Sequence, residues 1–278
     1  MADIIPGIPA RLNDLVVRVT APNPGAMTGP GTNSYLIGRN ELALIDPGPD
    51  SASHLAILLE MVGDRLRWIL CTHTHRDHSP GALALRGATG AEVFGFPMSP
   101  NDGRQDPTFA PDYVLGDEDI VDCGIFRLRV VHTPGHASNH LCYLLEEHRM
   151  LFTGDHVMGG STVVIGPPDG DMTAYLQSLE RLMSLELASL APGHGSVIEA
   201  PYEETCRLIA HRLNREQKVI DAFDRKNPAT LDELLPIIYS DTSRRLHPVA
   251  RRSLHAHLIK LAREGRVVEN GELWEALR

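Results

Sequence analysis

The run Thr72-His73-Thr74-His75-Arg76-Asp77-His78 places three imidazoles and a carboxylate within six residues, directly after an apolar stretch. Side chains two apart on extended backbone point the same way, so His73 and His75 can converge on one metal ion. Asp77 and His78 follow as the chain turns and can serve a neighbouring position. Three further donors close later apolar runs: His136 in Thr133-Pro134-Gly135-His136, Asp155 in Phe152-Thr153-Gly154-Asp155-His156, and His194 in Ala191-Pro192-Gly193-His194-Gly195. Each follows a Gly-bearing turn, where backbone can pass close to a bound ion. Alone, each would be an ordinary loop residue; with the first cluster they form a coherent set of metal donors. His140 and His156 are expected to line the pocket or hydrogen-bond a ligand, and His54 and His148 to lie at the surface. Asp46 is open to two readings, support of the site or a turn-forming Asp-Pro-Gly residue.

The elements that must carry these residues are legible as short apolar runs. Leu15–Thr20, Ser34–Gly38 and Leu42–Asp46 read as strands, followed by a turn and a helix to about Met61 with Ser51 or Ser53 as cap. Arg67–Thr72 is a strand, Ser79–Leu85 opens a second helix, and Ala91–Phe94 is a short strand. Ile120–Val121, Leu128–His132, Cys142–Leu145 and Met150–Thr153 repeat the strand pattern. A helix over Asp171–Leu187 follows, with apolar residues at helical spacing, then a strand over Leu187–Ala191. Two halves of strands and helices predict an α/β sandwich of two mixed sheets with helices outside. Near residue 200 the texture changes. Tyr202–Asp224, Thr230–Tyr239 and Val249–Glu264 read as helices, with a Thr230/Glu233 capping box, and Val267–Trp274 as a hairpin turning at Asn270-Gly271. This is a winged-helix pattern and predicts a catalytic domain over 1–200 and a small domain over 201–278.

The 278 residues carry a net charge of −10, unevenly spread: residues 1–200 hold 12 Lys+Arg against 24 Asp+Glu, and residues 201–278 hold 14 against 12. The acidic balance argues against coating nucleic acid through bulk charge. The pairs Arg244-Arg245 and Arg251-Arg252 leave room for a local basic patch, although most such runs are solvated faces. No stretch approaches the ~18 apolar residues of a membrane span. With no basic or amphipathic leader at the start, a cytoplasmic protein is expected. The four cysteines form no CxxC pair and are expected to be reduced and mostly buried.

HTHRDH, TPGH, TGDH and PGHG, in that order over residues 15–200, resemble the motifs of the metallo-β-lactamase superfamily of binuclear metal hydrolases. The resemblance implies an αβ/βα sandwich with two Zn²⁺, or other divalent transition metals, at one edge between the sheets. It assigns His73, His75 and His136 to one ion, Asp77, His78 and His194 to the second, and Asp155 to both. It implies a metal-bridging hydroxide as nucleophile, with Asp77 orienting it or accepting its proton. Several departures narrow the subfamily. Two-zinc β-lactamases of the best-known class use a Cys ligand and lack the bridging Asp, whereas here Asp155 is present and Cys142 lies outside any ligand motif. Redox members carry Glu in place of His75. The insertions of the transfer-RNA-processing and cleavage-factor nucleases are absent. Ile165–Leu182 resembles the segment before a helix in glyoxalase II, whose C-terminal part differs.

Gly31-Thr32-Asn33-Ser34-Tyr35-Leu36, Leu44-Ile45-Asp46-Pro47-Gly48 and the winged-helix pattern resemble the β-lactamase-like protein 2 group. Its animal mitochondrial member is a single-stranded RNA endonuclease. The expectation is therefore a zinc-dependent hydrolase of an ester, thioester or phosphodiester, with a single-stranded RNA endonuclease as alternative. A third reading, from another class, is a winged-helix nucleic-acid-binding protein with a relic metal site. The complete donor set argues against it.

Overall fold

A computed structural model describes residues 4–97 and 103–277. The chain divides into two compact units: Met1–Thr133 with Asn139–Val163 and Leu185–Pro201, and Pro134–Ser138 with Val164–Ser184 and Tyr202–Arg278.

In the first unit, seven strands form one sheet in sequence order: β1 (Ala10–Arg11), β2 (Val16–Thr20), β3 (Asn33–Gly38), β4 (Leu42–Ile45), β5 (Leu66–Leu70), β6 (Glu92–Gly95) and β7 (Tyr113–Val114). The pairs are antiparallel up to β4 and parallel from β4 onward. Parallel neighbours need crossovers, which α1 (Ala52–Val62) and α2 (Gly81–Thr89) supply. A second sheet runs in the order β12-β11-β10-β9-β8, from β8 (Ile120–Asp122), β9 (Arg127–His132), β10 (Leu141–Leu145), β11 (Met150–Gly154) and β12 (Ser189–Pro192). Only β11 and β12 are parallel in it.

The sheets face each other across one apolar core. Val16, Tyr35, Ile37, Ala43, Ile45 and Leu70 of the first meet Leu128, Val130, Leu141, Tyr143, Leu145 and Phe152 of the second. The Tyr35 and Phe152 rings lie 5.0 Å apart. The outer face of the first sheet, with Leu36, Leu42, Leu44 and Ile69, is covered by Leu55 and Leu58 of α1 and Leu85 of α2. Burial on both faces explains why Leu42–Ile45 is a continuous apolar run with no alternation.

The second unit contains α3 (Met172–Leu182), α4 (Pro201–Phe223), β13 (Ala229–Thr230), α5 (Leu231–Ile238), α6 (His247–Arg263), β14 (Val267–Asn270) and β15 (Leu273–Ala276). The last three strands form a sheet in the order β13-β15-β14. Its core gathers Val219, Phe223, Leu234, Ile238, Leu254, Leu258, Leu261 and Trp274. The Thr230/Glu233 capping box forms as its spacing predicts. Asp171 caps α3, accepting from Ala174 N at 3.0 Å.

Several details depart from the sequence reading. α3 ends at Leu182, five residues short of Leu187: Met183, the next apolar residue, is exposed, so the buried stripe has run out. α2 starts at Gly81 because the Ser79 hydroxyl donates to Asp106 Oδ2 at 2.9 Å and is not used as a cap. Ser51 occupies the cap position of α1 without a side-chain bond. The two-residue strands β1, β7 and β13 are too short to show a period. His54 is fully buried, not at the surface; its Nε2 lies 2.8 Å from the Ser34 hydroxyl. Burial pushes its pKa down to about 4, which keeps it neutral. Cys71, Cys123 and Cys142 are buried free thiols and Cys206 is an exposed one. No helix among the described residues is long and apolar enough to cross a membrane.

Candidate metal centre

Six of the seven predicted donors lie in the first unit, at one edge where strands end. His73, His75, Asp77 and His78 follow β5, Asp155 follows β11 and His194 follows β12. Asp46 ends β4 at the same edge, in a left-handed conformation with φ 51°. Thr72 N and the Thr72 hydroxyl donate to its two carboxylate oxygens at 2.7 and 2.8 Å, and His78 Nδ1 lies 2.8 Å from Oδ2. Of the two readings open for Asp46, support of the site is therefore the one its contacts bear out.

These contacts settle ring tautomers without reference to any ion. A carboxylate only accepts, so His78 donates from Nδ1 and its Nε2 is the nitrogen left for a proton or a metal ion. The Thr72 hydroxyl gives its single proton to Asp46, so it accepts from His73 Nδ1 at 3.0 Å, leaving His73 Nε2 as a lone pair. His194 Nδ1 faces the Gly31 carbonyl at 3.2 Å, which leaves its Nε2 free to coordinate in the same sense. Three imidazoles thus present lone pairs inward.

The lone pairs converge on carboxylates. His78 Nε2 lies 3.5 Å from Asp77 Oδ2 and 3.4 Å from Asp155 Oδ1. His194 Nε2 lies 3.2 Å from each of those oxygens. His73 Nε2 lies 2.9 Å from His75 Nδ1. The potential ligand atoms of His73, His78 and Asp155 fall within 4.8 Å of one another, as do those of Asp77, His78 and His194.

An imidazole lone pair facing a carboxylate oxygen at such distances is repulsive unless a proton or a metal cation lies between them. The electrostatics of these buried groups point the same way. Burial alone would lower the pKa of His78, yet Asp77, Asp155 and Asp46 together push it well above the usual imidazole range. His194 is raised too, burial being outweighed mainly by Asp155 and Asp77. Burial of Asp77 is outweighed in turn by His78 and His194, which bring its pKa down to about 2. His78 Nε2 is buried with no hydrogen-bond partner. An orphaned buried nitrogen, aimed between two carboxylates in a set built of imidazoles and carboxylates alone, fits a divalent cation.

The surrounding loops hold the donors by backbone contacts that the sequence signalled only in part. Asp106 N donates to Thr74 O at 2.6 Å, and the Thr74 hydroxyl bonds Gln105 Oε1. Asn139 Nδ2 reaches the Thr74 hydroxyl at 2.9 Å. Asn33 Nδ2 donates to the carbonyls of Pro192 and Gly195, both at 2.9 Å, and the Tyr35 hydroxyl to Pro192 O at 2.7 Å. The Gly31–Leu36 segment therefore fixes the loop of His194. A side chain at Gly193 would stand 2.7 Å from the His78 ring, so only glycine fits there. His140 does support the site: Asp155 N donates to its Nε2 at 3.1 Å, so its Nδ1 carries the proton toward the Thr133 hydroxyl at 2.9 Å. His156 is buried one residue beyond Asp155. Asp106, Gln105 and the Ser34–His54 pair were missed; none carries a spacing that marks it.

His136, the seventh donor, belongs to the second unit, on the short loop Pro134–Ser138. Its Nδ1 donates to the Val164 carbonyl at 2.8 Å, leaving its Nε2 as a lone pair as well. The basic pair of α6 is engaged internally. Arg251 bonds Asp232 at 2.6 Å, and the Arg252 guanidinium lies against the backbone of Gly166.

A sandwich of two mixed sheets with a His/Asp cluster at one edge defines a class. Residues 27–194 match the model of the metallo-beta-lactamase superfamily, and residues 230–274 that of the beta-lactamase associated winged helix domain. The chain belongs to the metallo-beta-lactamase superfamily and is a hydrolase of that fold. It is similar to the beta-lactamase-like protein 2 homolog of Drosophila melanogaster, at 33% identity over 95% of this chain and 93% of the relative. It is also similar to an atrochrysone carboxyl ACP thioesterase of Aspergillus fumigatus, at 31% identity over 92% of this chain and 84% of that protein. A solved metallo-beta-lactamase family protein of Thermus thermophilus shares the fold, with a TM-score of 0.80, 24% identity, and coverage of 96% of this chain and all of that one. The reading as a non-enzymatic nucleic-acid-binding protein is overturned by this membership.

Proposed function

We propose that the protein is a binuclear zinc-dependent hydrolase of thioesters or related activated esters. The convergence of the His78 and His194 Nε2 atoms on the Asp77 and Asp155 oxygens carries the reading. Curated relatives named as acyl-carrier-protein thioesterases, at 31% identity over most of this chain, support the choice of substrate class. His73, His75 and His136 would hold one ion, Asp77, His78 and His194 the second, and Asp155 both. Two divalent ions held there would supply Lewis acidity and a nucleophile at neutral pH.

The chain's own residues do the rest. Asp155 lies 3.4 Å from His78 Nε2 and 3.2 Å from His194 Nε2, and its backbone nitrogen is held by His140. Asp46 fixes His78 directly and His73 through Thr72, which sets their ring planes. Asp77 is the more exposed of the two acidic donors, with 31% of its side chain accessible against 11% for Asp155. It is therefore the carboxylate placed to orient the attacking water and accept its proton. The test is elemental analysis of gently purified protein, followed by turnover on thioester, lactone, phosphodiester-dye and single-stranded RNA substrates. About two metal equivalents with thioester turnover are expected. One equivalent that excess zinc cannot raise would overturn the binuclear reading, and cleavage of RNA alone would move the substrate to the nuclease alternative.

A further inference from the structure

The loop that carries His136 is held by a stack of contacts inside the second unit. The Ser178 hydroxyl donates to Pro134 O at 2.8 Å, and Asp171 N to Gly135 O at 2.8 Å. Ser138 N donates to Asp169 Oδ1 at 3.1 Å. Gly135 lies so close to α3 that a β-carbon there would meet the Tyr175 Cα at 2.4 Å. The ring of His136 donates from Nδ1 to the carbonyl of Val164 at 2.8 Å. The segment 164–171 therefore takes part in aiming this side chain.

That segment is in turn fixed by α6. A β-carbon on Gly166, two residues after Val164, would stand 2.4, 2.6 and 2.8 Å from Nη2, Nε and Cζ of Arg252. The guanidinium occupies the place a side chain would take. Gly166 O accepts from Gly170 N at 3.0 Å, which closes the segment into a turn. Arg263, three helical turns along α6, pairs with the Asp171 carboxylate at the far end of the same segment. Two arginines of one helix thus grip both ends of the turn whose first residues hold His136.

We propose that Arg252 is a positioning residue for His136, acting through Gly166 and the Val164 carbonyl. The inference rests on the reading of His136 as a metal donor. It assigns the C-terminal helix a part in metal binding without any ligand of its own. Changes in the outer partners of a metal-binding histidine typically weaken metal affinity about 10- to 100-fold.

The contact can be approached from both sides in the full-length chain, with Arg252→Gln and with Gly166→Ala. The second variant leaves the arginine in place but displaces it, and serves if the first does not fold. The readout is zinc titration of metal-free protein against a chromogenic chelator, with thermal melting of the same metal-free samples. One of the two zinc equivalents should bind about tenfold more weakly in each variant. The other equivalent and the melting temperature should match the parent, and the double variant should be no weaker than the single ones. Unchanged affinity for both equivalents would overturn the proposal, as would equal weakening of both in step with a lower melting temperature. His136→Ala forms a separate arm. If it leaves both equivalents tightly bound, the reading of His136 as a donor fails and takes this inference with it. If it weakens one equivalent while Arg252→Gln and Gly166→Ala do not, only the inference fails.

Discussion

Both units bury clusters of histidine and acidic side chains, but they neutralise them differently. In the first unit, Asp46, Asp77 and Asp155 face His73, His78 and His194, and the inward nitrogens are lone pairs. In the second, buried Glu216 meets Lys260 Nζ at 3.0 and 2.8 Å and Arg266 Nη1 at 3.4 Å, with His257 3.7 Å away. Lys260 also bonds Glu264 at 2.6 Å. That cluster carries its own cations. The first has carboxylates matched only by imidazoles, so its balance is met by protonation or by a bound metal ion. Buried acids matched only by imidazoles could hold a cation, whereas the same acids beside lysine and arginine are already paired within the protein.

The comparison is broken most severely at Asp155. Asp155→Ala removes the carboxylate proposed to serve both ions. Turnover should fall by more than the ~10–100-fold typical of outer partners, and at least one metal equivalent should be lost. The circular dichroism spectrum should stay unchanged, because the core strands are intact. Near-parent turnover in this variant would show the site to be misassigned.

The structural cluster should respond in the opposite currency. Lys260→Met leaves Glu216 buried beside weaker partners and should cost on the order of 3 kcal/mol in unfolding free energy, with zinc content untouched. Denaturant melts and elemental analysis on the same sample separate the two effects. The pH dependence follows a definite sign. Burial would raise the Glu216 pKa, but bonds from His257 and Lys260 hold it below the usual carboxylate range. Its contribution is therefore present above the unfolded carboxylate pKa and is lost as the pH falls through the lower folded value. Removing Lys260 should shift the acid-unfolding midpoint to higher pH, and an unmoved midpoint would show that the pair is not coupled to folding.

Asp46→Asn sharpens the contrast within the site. The amide keeps the size of the side chain but cannot accept from Thr72 N, the Thr72 hydroxyl and His78 together. Zinc affinity should fall about 10- to 100-fold, with little change in the fold. A chelator competition that finds parent affinity would relegate Asp46 to a turn residue.

The smallest effect is expected at Arg251, whose partner Asp232 is exposed. Exposed pairs contribute ~0–1 kcal/mol, so Arg251→Ala should barely move stability or thioester turnover. If the protein cleaves single-stranded RNA through this face, the same change should instead flatten the salt dependence of RNA binding by ~0.7 for each phosphate it ceases to neutralise. The two assays side by side decide between a solvated pair and a nucleic-acid contact.

Much of this protein is determined locally and was therefore visible in the chain itself. Apolar runs ending in Gly-bearing turns marked β9, β11 and β12, because a buried strand must be apolar and must then turn sharply at the edge. The His73–His78 run marked a metal site because donors two residues apart share a face. The Thr230/Glu233 box marked the start of α5 because both its bonds close within one helical turn. What remained hidden depends on groups far apart in sequence. Only the folded chain shows that Asp46 holds His78 and Thr72 at once, that Asn33 and Tyr35 carry the His194 loop, and that His54 lies under Gly48. The same is true of Arg252. As one of two adjacent arginines it read as a solvated charge, but its guanidinium lies against Gly166, a residue 86 positions earlier. No periodicity or motif encodes that contact, since it depends on where α6 packs, and packing is set by the core as a whole.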